Sequence, residues 1–199
     1  MDIFFTYLTQ GGFISTVVLV WLSVYFIITM WIYISRSLTL ANWEKVEKSS
    51  LESLLKGVAK IKRNSILSKC VGSREHNVAT LEVCKSVAEK KATTYLSMLS
   101  VIASTSPFIG LFGTIVSILD TFSQLGNAET ASLTVIAPAI SEALVATAAG
   151  IFVAIPAYSA HIFVKRKAYE VLSVIGREID LLRVTSPHES IEGKKKYEF

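Results

Sequence analysis

Val135-Ile-Ala-Pro-Ala-Ile-Ser-Glu-Ala-Leu-Val-Ala-Thr-Ala-Ala-Gly-Ile-Phe-Val-Ala-Ile-Pro-Ala157 is a run of small and aliphatic residues holding one carboxylate, Glu142. From Thr130 to Val164 there is no other Asp, Glu, Lys or Arg. Ile3 to Ser35 and Ala92 to Leu119 contain none of the four. A helix rises about 1.5 Å per residue, so roughly 20 apolar residues cross the hydrocarbon of a bilayer. All three runs exceed that length, and in lipid such a segment satisfies its own backbone hydrogen bonds only as a helix. The chain of 199 residues is 51% hydrophobic and 18% charged, with a mean hydropathy of +0.49, too apolar for an ordinary soluble domain. The expected fold class is all-α: an integral membrane protein with three transmembrane helices.

The first run does not read as a cleaved leader. It lacks a basic start, its apolar part is too long, and Ser35-Arg36 is no small-residue cleavage site. It is expected to be an anchored span near Phe13 to Ile34 that includes Trp21 and Trp31. Trp31, Tyr33 and Trp43 lie at or beyond its inner end, at headgroup level.

The basic residues set the orientation. All 20 Lys and Arg fall in two segments, 12 between Arg36 and Lys91 and 8 between Lys165 and Lys196. The positive-inside rule puts both in the cytoplasm, with the N-terminus outside and the C-terminus inside. The net charge of +4 then reflects topology and contact with anionic lipid rather than nucleic acid. The expected segments are 1-35, N-terminus and first span; 36-91, a cytoplasmic helical hairpin; 92-119, the second span; 120-129, a periplasmic connection; 130-164, the third span; and 165-199, a cytoplasmic helix and tail.

In the hairpin, Leu51, Leu54, Leu55, Val58 and Ile61 recur at helical spacing, and Gly72-Ser73 marks a turn. A second helix from about His76, carrying Val83, Val87 and Tyr95, is expected to run unbroken into the second span. The third span likewise continues, with Val171, Leu172, Ile175, Ile179 and Leu182 as its stripe. These helices would form a bundle. Pro187 is expected to end the order, leaving a mobile basic tail from Ile191 to Phe199. Cys70 and Cys84 read as reduced structural thiols, because Cys-x5-His76-x7-Cys matches no zinc pattern. No Ser-His-Asp arrangement, phosphate-cradling loop or HExxH occurs, so enzyme chemistry, a metal and a cofactor are not expected.

Function shows first in the second span. Ser106, Gly110, Thr114, Ser117 and Thr121 step by four, four, three and four, placing small and hydroxylated side chains on one face. In lipid such a face packs against another helix or borders water. Pro107 removes one backbone bond and is expected to bend the helix. In the third span, Glu142 should face the protein interior, because a charge in hydrocarbon costs at least several kcal/mol. Counting about 20 residues back from Val164 leaves it near the outer interface. Thr147 lies deeper, at a level Thr114 should share, and two hydroxyls there could hold water or pass a proton. Glu142 and Thr147 are about 140° apart around a helix. Either the path is wide or Glu142 belongs to a subunit contact.

Ser106-Pro-Phe-Ile-Gly-Leu-Phe-Gly-Thr114 and Ala137-Pro-Ala-Ile-Ser-Glu-Ala-Leu-Val-Ala-Thr147, with Gly150 and Ala154-Ile-Pro-Ala157, resemble the signature spans of the MotA/TolQ/ExbB proton-channel family. The departures are Ala139 for a usual Gly, Ser141 for a usual Ala, and Val116-Ser117 for a Trp-Gly pair. The resemblance implies a homopentamer in the bacterial inner membrane whose second and third spans line a pore. The pore would hold single-span TolR- or ExbD-like partners, whose Asp carries the proton, and a TolA- or TonB-like protein would receive the motion. Thr114 and Thr147 would then line the pore, with Glu142 near the outer part of the path. Ser106, Pro107, Gly110, Ser117 and Ser141 would face the pore or pack. The motif resembles TolQ slightly more than ExbB, which implies envelope constriction and outer-membrane integrity rather than TonB-dependent uptake. A non-conducting scaffold that uses the same small-residue faces to oligomerise is the competing class. A small solute transporter is disfavoured by three spans without an inverted repeat.

Overall fold

The structure, a computed structural model, describes residues 13–56, 65, 78–125 and 133–185. These form α1 (Phe13–Leu55), α2 (Val78–Ala92), α3 (Leu96–Leu125) and α4 (Leu133–Thr185). Among the described residues there is no strand, and three helices are long and apolar enough to cross a membrane. The chain is an all-helical, multi-pass membrane protein. Val58, Ile61, Cys70, Gly72-Ser73, His76, Pro187 and the tail from Ile191 lie outside the described residues, as does 126–129 of the expected connection.

The chain divides into two compact units. The first joins α1 up to Ile34 with Tyr95–Phe163. Its core gathers Val18, Leu22, Ile102, Ala146, Val153 and Ala157 from α1, α3 and α4, and Phe26 stacks on Phe152 at 5.8 Å. Outward it shows Trp31 (76% exposed), Phe108 (70%) and Phe152 (67%). Inward residues here are often smaller than outward ones. A soluble protein would have the reverse, and lipid or further copies of the chain suit such a surface.

The second unit joins Ser35–Thr94 with Val164 onward. Its core takes Leu40 from α1, Leu81, Cys84, Ala88 and Ala92 from α2, and Val171, Ile175, Ile179 and Leu182 from α4. The α4 residues step by four, four and three, so they share one face over about three turns. Ion pairs rim the unit: Glu44 with Lys48 (2.5 Å) and Lys167 (3.2 Å), and Arg183 with Glu82.

Two expectations are corrected. The helix through Val87 does not run unbroken into the second span: α2 ends at Ala92, and Tyr95 has φ 68°. The Arg36 guanidinium donates to the Lys91 and Ala92 carbonyls at 2.7 and 3.0 Å, and the Thr93 and Thr94 hydroxyls bond back to Glu89 and Lys90. Those bonds satisfy the last-turn carbonyls that a continuing helix would have used. On α2, Val83 and Val87 are exposed, as is Tyr95 after it, and the Leu81-Cys84-Ala88-Ala92 face turns inward. Close helix contact favours that face. Secondly, Cys84 is disulfide-bonded rather than a reduced thiol. Its place on the inward face, between Leu81 and Ala88, holds its sulfur against packed protein rather than water.

Candidate functional site

The second and third spans meet along glycines. A Cβ on Gly150 would stand 2.6 Å from the Ser106 carbonyl oxygen and 3.0 Å from the Gly110 Cα. One on Gly110 would stand 2.7 Å from the Ala146 carbonyl oxygen. Backbone therefore touches backbone, which only residues without a side chain permit. Gly113, a turn further along α3, faces Ala146 and Val18, so α1 closes on the same seam.

This approach brings Thr114 and Thr147 together. Their hydroxyls hydrogen-bond to each other across the seam. Thr114 Oγ1 also lies 3.2 Å from the Gly110 carbonyl and 3.1 Å from the Ala143 carbonyl, while Thr147 Oγ1 lies 3.4 Å from the Gly110 carbonyl. Two O–H protons thus have more acceptors than they can fill at once. Each hydroxyl can turn from carbonyl to hydroxyl without losing every bond. Both threonines are only half-buried, so the pair has an open side. An alcohol does not titrate in the accessible range. Such a pair can orient a water or an acid, but it does not itself store a proton.

The other predicted residues divide. Ser106 is fully buried and donates to the Ile102 carbonyl at 2.6 Å, so it belongs to the packing seam. Gly110 is buried in the same seam. Pro107 and Ser117 are half-buried, and the Ser117 carbonyl accepts the Thr121 hydroxyl at 2.9 Å. Ser141 is exposed. Glu142 is half-buried, one residue before the carbonyl that Thr114 reaches, and no hydrogen bond joins it to either threonine. Asp120 and Glu142 are the carboxylates among the described residues of this unit, and Asp120 is exposed.

Sequence reasoning missed the His161 imidazole, whose Nδ1 donates to the Leu96 carbonyl at 3.0 Å and ties α4 to the start of α3. It also missed two buried carboxylates in the second unit, Glu47 and Glu178. Glu178 falls in register with Val171, Ile175 and Leu182, a charge inside an apolar stripe, which was the available signal.

Residues 47–176 match the MotA/TolQ/ExbB proton channel family. The chain belongs to that family. The match takes in the whole of α3 and the Gly110, Thr114, Thr147 and Gly150 contact. Among relatives in the MotA/TolQ/ExbB family, the chain is 40% identical over 184 residues to "Putative biopolymer transport protein ExbB-like 1" of Helicobacter pylori, covering 92% of this chain and 97% of that protein. It is 44% identical over 68 residues to "Tol-Pal system protein TolQ" of Pseudomonas aeruginosa, covering 34% of this chain and 29% of that one. It is 38% identical over 77 residues to "Biopolymer transport protein ExbB" of Pseudomonas putida, covering 39% and 23%.

Proposed function

We propose that this family member is the multi-copy subunit of a proton-driven motor in the bacterial inner membrane. Five copies surround the single membrane helices of two TolR- or ExbD-type partner chains, and the second and third spans line the path. The observation that carries this reading is the Thr114–Thr147 hydroxyl pair, half-buried at the contact of the two spans. The path needs a titratable carrier that this pair does not supply. The partner's Asp meets that need, and the threonines orient it or its water. Each charge crossing 100 mV releases about 2.3 kcal/mol, enough to bias one helix position against another. The charged unit lies in the cytoplasm, because all the Lys and Arg of the chain flank the inner ends of the spans. Glu142 stands near the outer mouth, as part of the path or of a subunit contact.

Two processes compete for the output. The signature motif favours a TolQ-like role in outer-membrane integrity and division. The near full-length similarity to a protein named ExbB-like favours energising biopolymer transport, with a TonB-like recipient.

Thr147→Val tests the channel reading against a scaffold. Valine is nearly isosteric, so the oligomer should persist. Proton flux in proteoliposomes holding the chain and its single-span partner should collapse. Full flux in the variant would take Thr147 out of the path, and a wild type that conducts no protons with its partner would leave the scaffold reading standing.

A further inference from the structure

We propose that Glu47 and Glu178 form a proton-binding site that fastens α1 to α4 by holding one shared proton between their carboxyls. Both side chains are fully buried, as is Ser50 beside them. Glu47 accepts the Trp43 indole N–H on Oε1 at 2.9 Å and the Ser65 hydroxyl on Oε2 at 2.7 Å. A carboxylate given a donor on each oxygen is stabilised in its charged form. Glu178 is differently placed. Its carboxyl lies against Glu47 and Ser50, yet among the described residues none meets either of its oxygens, or Ser50 Oγ, in full hydrogen-bond geometry. A bare, buried carboxylate facing a second carboxylate is the costlier state on both counts. One proton on Glu178 removes the repulsion and supplies the missing hydrogen bond, O–H of Glu178 to the carboxylate of Glu47. Releasing that proton to solvent leaves two anions facing each other.

Among the described residues, the surrounding charges do not substitute for the proton at Glu178. On α1, Lys45 is exposed, and Lys48 is exposed and bound to Glu44. On α4, Lys167 also engages Glu44, and Glu170 pairs with Arg166 and Lys167. Arg177 is exposed and reaches Ser173, Asp180 is exposed, and Arg183 engages Glu82 of α2. The inward face of α2 is Leu81, Cys84 and Ala88, without charge, and its Glu82, Lys85 and Glu89 point outward. Burial, followed by the charge of Glu47, pushes the Glu178 carboxyl up to about 8.

A folded-state value above the ordinary 4.5 means that the stabilising proton is fully held below 4.5 and lost as pH rises through about 8. The site therefore loosens the charged unit on alkalinisation. In the proposed orientation this unit lies on the side where the motor discharges protons, so the latch would report proton delivery. That consequence rests on the proposed function, while the shared proton does not.

The test uses the full chain in nanodiscs, titrated from about pH 6 to about pH 9. Infrared spectra of the wild type should show the carbonyl band of a protonated carboxyl that vanishes through the upper part of that range. The band should be missing in Glu178→Gln. The wild-type unfolding temperature should fall over the same interval and that of Glu178→Gln stay flat, since the amide keeps a donor toward Glu47. Thr147→Val should leave the band untouched, which separates this site from the channel reading. Should Glu178→Gln fail to fold, the wild-type infrared titration decides alone. A wild type without the band at any pH, or an unchanged slope in the variant, overturns the proposal. So does a slope abolished by added sodium or calcium, which would make the occupant a metal cation.

Discussion

Replacing Gly150 with alanine inserts one methyl where α3 and α4 touch through their backbones. The new carbon would stand 2.6 Å from the Ser106 carbonyl oxygen and 3.0 and 3.2 Å from the Gly110 Cα and N. Carbon contacts are comfortable at roughly 3.5 Å, so the helices must part by on the order of 1 Å. Each obstacle is backbone inside a helix, so no side chain can swing away to absorb the strain. Overpacking of this kind costs about 1–3 kcal/mol, against a gain of about 1 kcal/mol from replacing glycine in a helix interior. The expected net loss is up to about 2 kcal/mol, and the Thr114–Thr147 bond should open with it. Gly176 supplies the control. It also lies in α4, a Cβ there meets nothing within 4 Å, and Gly176→Ala should stabilise by up to about 1 kcal/mol. Thermal unfolding of both variants in nanodiscs reads the comparison. If Gly150→Ala proves as stable as Gly176→Ala, the spans do not approach as described and the seam argument fails.

Other outcomes follow from the same contacts. Tyr95 sits at φ 68° with an exposed side chain, so Tyr95→Gly should stabilise by about 1 kcal/mol in thermal unfolding. Arg36→Ala removes the donors to the Lys91 and Ala92 carbonyls and should speed hydrogen exchange in the last turn of α2, while exchange in α3 stays unchanged. Glu44 is held below its usual carboxylate range, first by Lys48 and then by Lys167, so its contribution is present above 4.5 and lost as pH falls through the lowered value. Glu44→Gln should flatten that acid limb of a stability profile.

The spans and the stripe of α4 were legible in the sequence because lipid and helical register leave few alternatives. A chargeless run of this length has to be a helix, and residues four apart have to share a face. The break before the second span was not legible. It depends on Arg36, 55 positions before the carbonyl it reaches, and nothing local to Thr93-Thr94-Tyr95 announces a stop. The inward face of α2 was not legible either, because valine outranks alanine in hydrophobicity, whereas close helix approach rewards the smaller residue. At the site, the depth match of Thr114 and Thr147 followed from counting along two antiparallel spans. That Ser106 is part of the packing contact could not be counted, since its neighbours on α4 are set by the meeting of Gly110 and Gly150. The buried pair of Glu47 and Glu178 joins residues 131 positions apart by number, and only the packed bundle reveals it.

The central claim is that Thr147 borders water within the assembled complex. Thr147→Cys and, as a lipid-facing control on α1, Ile27→Cys (a residue 63% exposed), each in a background with both native cysteines changed to serine, can be challenged with a small water-soluble thiol reagent in membranes that contain the partner. The account predicts rapid modification at 147 and little at 27. Modification at 147 no faster than at 27 would contradict it.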